Sequence, residues 1–218
     1  LTIEQKIKEI IGISWASYKN KVASRLLDPE NEKMMQLQLA LIIQTLIPIF
    51  EFRPSESIKV LLEEPVNINR QPSRRIIDIV ILHSENNIKR YFPVELKCFR
   101  EFTRDKTGKK RGAQNLGMYD YWADIENIEQ YSNLNDYGFG TQLTLTDDNY
   151  YVTGRHQGNQ VAMYSTNNTR INVTGTLQQA IVNRLGRIDL NGIYAMNNWE
   201  RIGDYHFIRQ ETGNPSYP

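Results

Sequence analysis

Glu95 and Lys97 stand two residues apart in Phe92-Pro93-Val94-Glu95-Leu96-Lys97-Cys98, a stretch in which alternate residues are apolar. On a strand, alternate side chains share a face, so this spacing sets a carboxylate and an ammonium side by side. Asp78 is the second anomaly, because it interrupts Ile76, Ile77, Ile79, Val80, Ile81 and Leu82. Aspartate is a poor strand former. A charge in such a run costs on the order of several kcal/mol unless it is paired, hydrogen-bonded or bound to metal. If the two segments pair as a hairpin, Asp78 lies beside Glu95. Two adjoining carboxylates suit a hard divalent cation. Mg²⁺ takes oxygen ligands and keeps several waters, so Asp78, Glu95 and the intervening carbonyl of Leu96 would suffice, with Mn²⁺ as a substitute. Lys97 beside such an ion would orient or help deprotonate an attacking water and stabilise charge building on a phosphate. In a dry site its pKa is expected to fall towards neutrality. The competing reading of Glu95 and Lys97 is a solvated ion pair, worth ~0–1 kcal/mol. Asp78 has no place in that reading and favours the chemical one.

The elements that must position these residues follow from periodicity and punctuation. Residues 2–27 carry Ile3, Ile7, Ile10 and Ile11 at helical spacing and predict one or two helices. Asp28 as cap, Pro29 in the first helical position and Glu30 and Glu32 in the first turn predict the start of a second helix, apolar nearly all round and ended by Pro48. Strands are expected over 57–66, 74–82 and 89–99, the last two joined by a short turn in His83-Ser84-Glu85-Asn86-Asn87. A helix over 115–134, a strand in 137–151, a strand near 160–165 and a helix over 174–186 complete the reading, with a frayed end. The order predicts a single α/β domain over 1–218, its mixed central sheet flanked by helices. The core is expected over about 28–151 and a C-terminal strand and helix elaboration over 152–218.

Composition narrows the function. The net charge is +1, so any nucleic-acid surface must be local. Such a surface is offered by Arg100, Arg104, Lys106, Lys109, Lys110 and Arg111, directly after the Glu95–Lys97 strand. A basic loop there would meet phosphates with salt-dependent, largely sequence-blind affinity. The same run in isolation would read as a solvated loop. Cys98 is the single cysteine, which excludes an intrachain disulfide and a thiolate zinc site. His83, His156 and His206 are scattered without zinc-site spacing. The N-terminal residues read as an amphipathic helix rather than a signal peptide, and the longest apolar run is too short to span a bilayer. A cytoplasmic protein with no membrane partner is expected. No nucleophile elbow, phosphate loop or dinucleotide fingerprint is present.

Asp78 in Ile76-Ile77-Asp78, followed seventeen residues later by Glu95-Leu96-Lys97, resembles the signature of the PD-(D/E)XK nuclease superfamily. Its one departure is Ile77, where those proteins commonly carry proline. Residues 31–40, 61–66, 74–81, 92–97, 112–129 and 137–151 resemble successive blocks of bacterial members, which covers roughly 30–151. The resemblance implies a restriction-endonuclease-like fold, with Asp78 and Glu95 as metal ligands and Lys97 as the catalytic lysine. It further implies Glu32 as an additional acid from the preceding helix and Gln114 approaching the site from the following one. The implied activity is Mg²⁺-dependent endonucleolytic cleavage of nucleic acid, DNA foremost, in restriction, defence or repair. A homodimer would allow both strands to be cut. Two other classes stand beside it: a non-catalytic nucleic-acid-binding module on the same fold, and a protein-interaction domain using the tyrosine- and asparagine-rich C-terminal third.

Overall fold

In the computed structural model, which describes residues 1–67, 75–102, 112–154 and 162–212, helix α1 spans Ile3–Ala23. Thr2 and Gln5 close its N-terminus reciprocally, each side chain accepting the other's backbone N–H. Helix α2 spans Glu32–Phe50, one turn later than the Asp28–Pro29 reading places it. Asn31 is the cap, its side chain accepting the Met34 N–H at 2.9 Å. The Pro29 carbonyl is drawn away instead, accepting from Arg100 Nη1 at 2.7 Å. Pro48 does not end α2. It lies in the last turn, and the helix continues past it, Glu51 N–H bonding the Ile47 carbonyl at 3.2 Å. By length and composition α2 could cross a membrane, unlike the shorter apolar run within it. Met35, Leu39, Ile43 and Ile47 are nevertheless buried in a core shared with α1 and the sheet.

The central sheet contains β1 (Glu56–Val66), β2 (Arg75–Glu85), β3 (Ile88–Phe99), β4 (Gly140–Thr146), β7 (Glu200–Ile202) and β8 (Tyr205–Thr212). Its order is β1-β2-β3-β4-β8-β7, and among its described strand pairs β3–β4 is the parallel one. The architecture is therefore mixed α/β with a mostly antiparallel sheet flanked by helices. The β2–β3 hairpin forms as expected. Its turn is tighter than expected, because Asn86 and Asn87 alone make it, with φ of 51° and 67°. Two consecutive left-handed residues match the twist of the strands they join, and asparagine tolerates that conformation. The parallel β3–β4 pair needs a crossover, which α3 (Gln114–Ser132) supplies.

Alternation along β2 and β3 sorts residues between two cores. Ile79, Ile81, Val94, Leu96 and Cys98 pack with α1 and α2. Val80 packs with Ile128 and Tyr131 of α3 on the opposite face. The outer side of α3 is covered by a separate two-stranded sheet, β5 (Val173–Gln178) with β6 (Arg187–Tyr194). The helix α4 (Asn149–Thr153) follows β4.

The C-terminal region departs most from the sequence reading. The expected helix over 174–186 is β5 followed by turns. Gly175 has φ 73°, which breaks a helix but fits the irregular pairing between Val173 and Gly175. The β-branched Val173, Thr174 and Thr176 add strand preference. The strand expected near 160–165 is a 3₁₀ turn over Ala162–Tyr164, its first residues lying outside those described. Strand β8 pairs with β4, so residues 205–212 belong to the central sheet rather than to an appendage.

Candidate active site

The last rung of the β2–β3 ladder is Ile79 with Val94. The next pair in register is Asp78 with Glu95, and there the backbone ladder stops. Asp78 Oδ2 instead accepts the Leu96 N–H at 2.9 Å. The hairpin thus brings the two carboxylates to the same level, as strand spacing predicts. The neighbouring rungs Leu62–Ile79 and Glu64–Ile77 set Glu63 of β1 level with Asp78 as well. Glu63 has φ 55°, a left-handed conformation that costs a non-glycine residue roughly 1–2 kcal/mol. Gln36 Nε2 offsets this by donating to Glu63 Oε1 at 2.6 Å, and it also donates to the Asp78 carbonyl. Lys33 pairs with Glu63, its Nζ lying 4.0 Å from Asp78 Oδ1.

Glu95 is 5% exposed, and Tyr131 Oη donates to its Oε1 at 3.3 Å. Burial, with Asp124 and Asp78 nearby, holds its carboxyl well above the usual carboxylate range against the pull of Lys97. Lys97 shares the Glu95 face of β3. Its Nζ lies 2.5 Å from Asp124 Oδ2, 3.2 Å from the Leu96 carbonyl and 3.6 Å from Glu32 Oε2. Burial alone would pull the ammonium pKa down, but Asp124, Glu32 and Glu95 outweigh it and hold Lys97 above its ordinary value. The expected fall towards neutrality is therefore reversed. The expectation counted desolvation and not the surrounding carboxylates. Burial raises the Glu32 carboxyl, with Lys97 opposing and Asp78 and Asp124 reinforcing.

Glu32 reaches Lys97 because α2 starts at the level where the hairpin opens. Asp124 was not singled out from sequence, although a signal existed. Tyr121, Ile125, Ile128 and Tyr131 of α3 are fully buried, and Asp124 falls on their face at helical spacing. A carboxylate on an inward helix face is the counterpart of Asp78 in an isoleucine strand. Gln36 was likewise missed on the buried side of α2.

Gln114 does not join this group. It opens α3 ten residues before Asp124, about 15 Å along a helix. Its Nε2 donates to Asp148 Oδ2 at 2.8 Å. Arg100 is engaged in the fold: Nε bonds Asp147 at 2.8 Å, Nη1 lies 3.3 Å from Asp28, and the guanidinium sits 5.5 Å from the Tyr205 ring centre. This makes it a clamp between β3, β4 and the α1–α2 loop. The other basic candidates, Arg104, Lys106, Lys109, Lys110 and Arg111, lie outside the described residues.

Glu32, Asp78, Glu95 and Asp124 thus come from α2, β2, β3 and α3 to one acidic cluster, in which Asp124 and Glu32 contact the largely buried Lys97 ammonium, with Lys33 at the rim. The donor atoms are all oxygen, which fits Mg²⁺ rather than a softer ion. Among the described residues no three His, Cys, Asp or Glu side chains converge on one point as a ready ligand set. Asp78, Glu95 and the Leu96 carbonyl, which also accepts from Lys97 Nζ at 3.2 Å, are the oxygen groups that could hold such an ion together with water. No family model matches the chain, and no curated protein or solved structure is significantly similar to it.

Proposed function

We propose that this chain is a Mg²⁺-dependent nuclease that hydrolyses phosphodiester bonds in nucleic acid, with DNA as its substrate. The observation carrying this reading is the meeting of Asp78 and Glu95 at the opened end of the β2–β3 hairpin, with Lys97 on the same face. The succession α2, β1, β2, β3, α3, β4, with three antiparallel strands and a helical crossover, supports a restriction-endonuclease-like core. Carboxylates outnumber the cations beside them around the buried Glu95, an arrangement that a divalent ion relieves and that stability alone does not favour.

Asp78, Glu95 and the Leu96 carbonyl would hold the ion. When bound, it would supply a nucleophile at neutral pH and stabilise charge on the leaving oxygen. Asp78 keeps its place through the Leu96 N–H, which leaves Oδ1 for ligation. Lys97, kept charged by Asp124 and Glu32, serves as a fixed cation. It orients the attacking water and a non-bridging phosphate oxygen rather than abstracting a proton. Lys33 at the rim adds positive charge where a backbone phosphate would enter. The basic run from Arg104 to Arg111 supplies sequence-blind attraction. A cytoplasmic setting and a dimer that cuts both strands accord with this reading.

The test is nicking of supercoiled plasmid by the purified chain with Mg²⁺ or Mn²⁺. Wild-type cleavage that EDTA abolishes and that Asp78→Asn and Glu95→Gln each lose supports the proposal. Salt-sensitive DNA binding without cleavage under any divalent ion would sink it and favour a non-catalytic binding module.

A further inference from the structure

The acceptors around the Lys97 ammonium hold it unequally. An ammonium has three N–H donors. The Leu96 carbonyl accepts at 3.2 Å from a fixed backbone position, and Asp124 Oδ2 is an ion-pair contact at 2.5 Å outside hydrogen-bond alignment. Glu32 Oε2, at 3.6 Å, lies beyond normal hydrogen-bond length. The two carboxylates also differ in freedom. The Asp124 side chain is 15% exposed on a mid-helix position between the fully buried Tyr121 and Ile128. The Glu32 side chain is 37% exposed on the first residue of α2, with an extra rotatable bond. Lys97 attracts Glu32, and Asp78 and Asp124 repel it, so a competing anion at the ammonium would let Glu32 leave towards solvent.

We propose that Asp124 is the positioning residue that anchors Lys97, and that Glu32 is an exchangeable placeholder whose site at the ammonium is taken by a phosphate oxygen of the substrate. This rests on the nuclease reading, and it gives Glu32 a role other than metal ligand. A non-bridging phosphate oxygen carries the same partial negative charge and accepts the same N–H, so it replaces a carboxylate oxygen without rebuilding the site. Asp124 must stay for the exchange to work, because once Glu32 leaves it is the remaining ion-pair partner of the lysine among the described residues. Entry of substrate then requires Glu32 to leave and Asp124 to hold.

Two readouts test the assignment. In Mg²⁺-dependent plasmid nicking, Glu32→Gln is expected to lower KM for DNA about threefold to tenfold with kcat little changed, since a competing anion is removed. Asp124→Asn is expected to lower kcat about 100-fold, the loss typical of a misplaced group, and to raise KM, since the phosphate loses its place at the ammonium. Asp124→Glu should recover part of that loss. The second readout is the ¹⁵Nζ resonance of Lys97, followed as inorganic phosphate is added to the metal-free protein. Phosphate should shift it in wild type, half-saturate at lower concentration in Glu32→Gln, and leave it unmoved in Asp124→Asn. Loss of cleavage in Glu32→Gln as complete as in Glu95→Gln overturns the placeholder role, and unchanged kcat in Asp124→Asn overturns the anchor. If wild type cleaves nothing, the nuclease reading has failed by itself. The resonance then decides this inference, and a Lys97 signal indifferent to phosphate, or equally responsive in all three proteins, refutes it.

Discussion

Asp78 Oδ2 accepts the Leu96 N–H at 2.9 Å, one residue beyond the last rung of the β2–β3 ladder. A side chain thereby takes over from the backbone at the point where the strands part. It closes the ladder and holds a carboxylate beside Glu95, so one residue links hairpin stability to the candidate chemistry.

Asp78→Ala is accordingly expected to lose both. Leaving the Leu96 N–H without its acceptor should cost about 1–3 kcal/mol in urea unfolding. Mg²⁺-dependent nicking should fall at least about 100-fold. A variant that unfolds like wild type would show that the 2.9 Å bond contributes nothing.

Glu95→Gln should behave in the opposite way towards stability. The folded carboxyl is held well above its ordinary value, so the folded state keeps a proton that the unfolded chain has released. The associated stability is fully present below the ordinary glutamate pKa and is lost as pH rises through the folded value. Glutamine carries no charge at any pH. The metal-free variant should therefore be more stable than wild type by about 1 kcal/mol at pH 8, while losing cleavage. Melting curves from pH 8 down to pH 4 check this, with the advantage shrinking as pH falls.

Divalent ions should reverse that order. An ion that binds only the folded state at about 100 times its Kd adds roughly 2.7 kcal/mol. Mg²⁺ should raise the Tm of wild type and leave those of Asp78→Ala and Glu95→Gln unchanged. Equal shifts in all three proteins would place any bound ion elsewhere.

At the start of β1, a second buried charged group offers a control. Lys6 pairs with Glu56, whose Oε1 also lies 3.1 Å from His83 Nε2, and whose Oε2 accepts the Phe52 N–H at 3.2 Å. Burial pushes the Glu56 carboxyl up, but the bonds from Lys6, Phe52 and His83 outweigh it and hold it below the ordinary range. Its stabilisation is present above the ordinary glutamate pKa and lost as pH falls through the lowered value. Glu56→Gln leaves Lys6 buried without its carboxylate and should cost about 3 kcal/mol at pH 7. The deficit should narrow under acid, and kcat for nicking should stay at the wild-type level.

The sequence carried Asp78, Glu95 and Lys97 because their meeting depends on local rules. Strand alternation, a short Asn86-Asn87 turn and a charge among isoleucines all lie within about one hairpin. Gln114 was misplaced because closeness in sequence to β3 says nothing about how far along α3 the site lies. Helical rise carries Asp124, not Gln114, to Lys97. The region from 173 misled because Gly175 and the β-branched residues around it were outweighed by an apparent helix cap and stop.

Residue types and spacing by themselves determined the hairpin, the paired carboxylates at its open end and the lysine two residues on, since each depends on neighbours in the chain. Only the tertiary structure decided which other groups reach Lys97. Asp124 arrives through the β3–α3–β4 crossover and Glu32 through the packing of α2 on the sheet. It likewise decided that Lys97 stays charged, because a pKa reflects every charge within a few ångströms, whatever its distance in sequence.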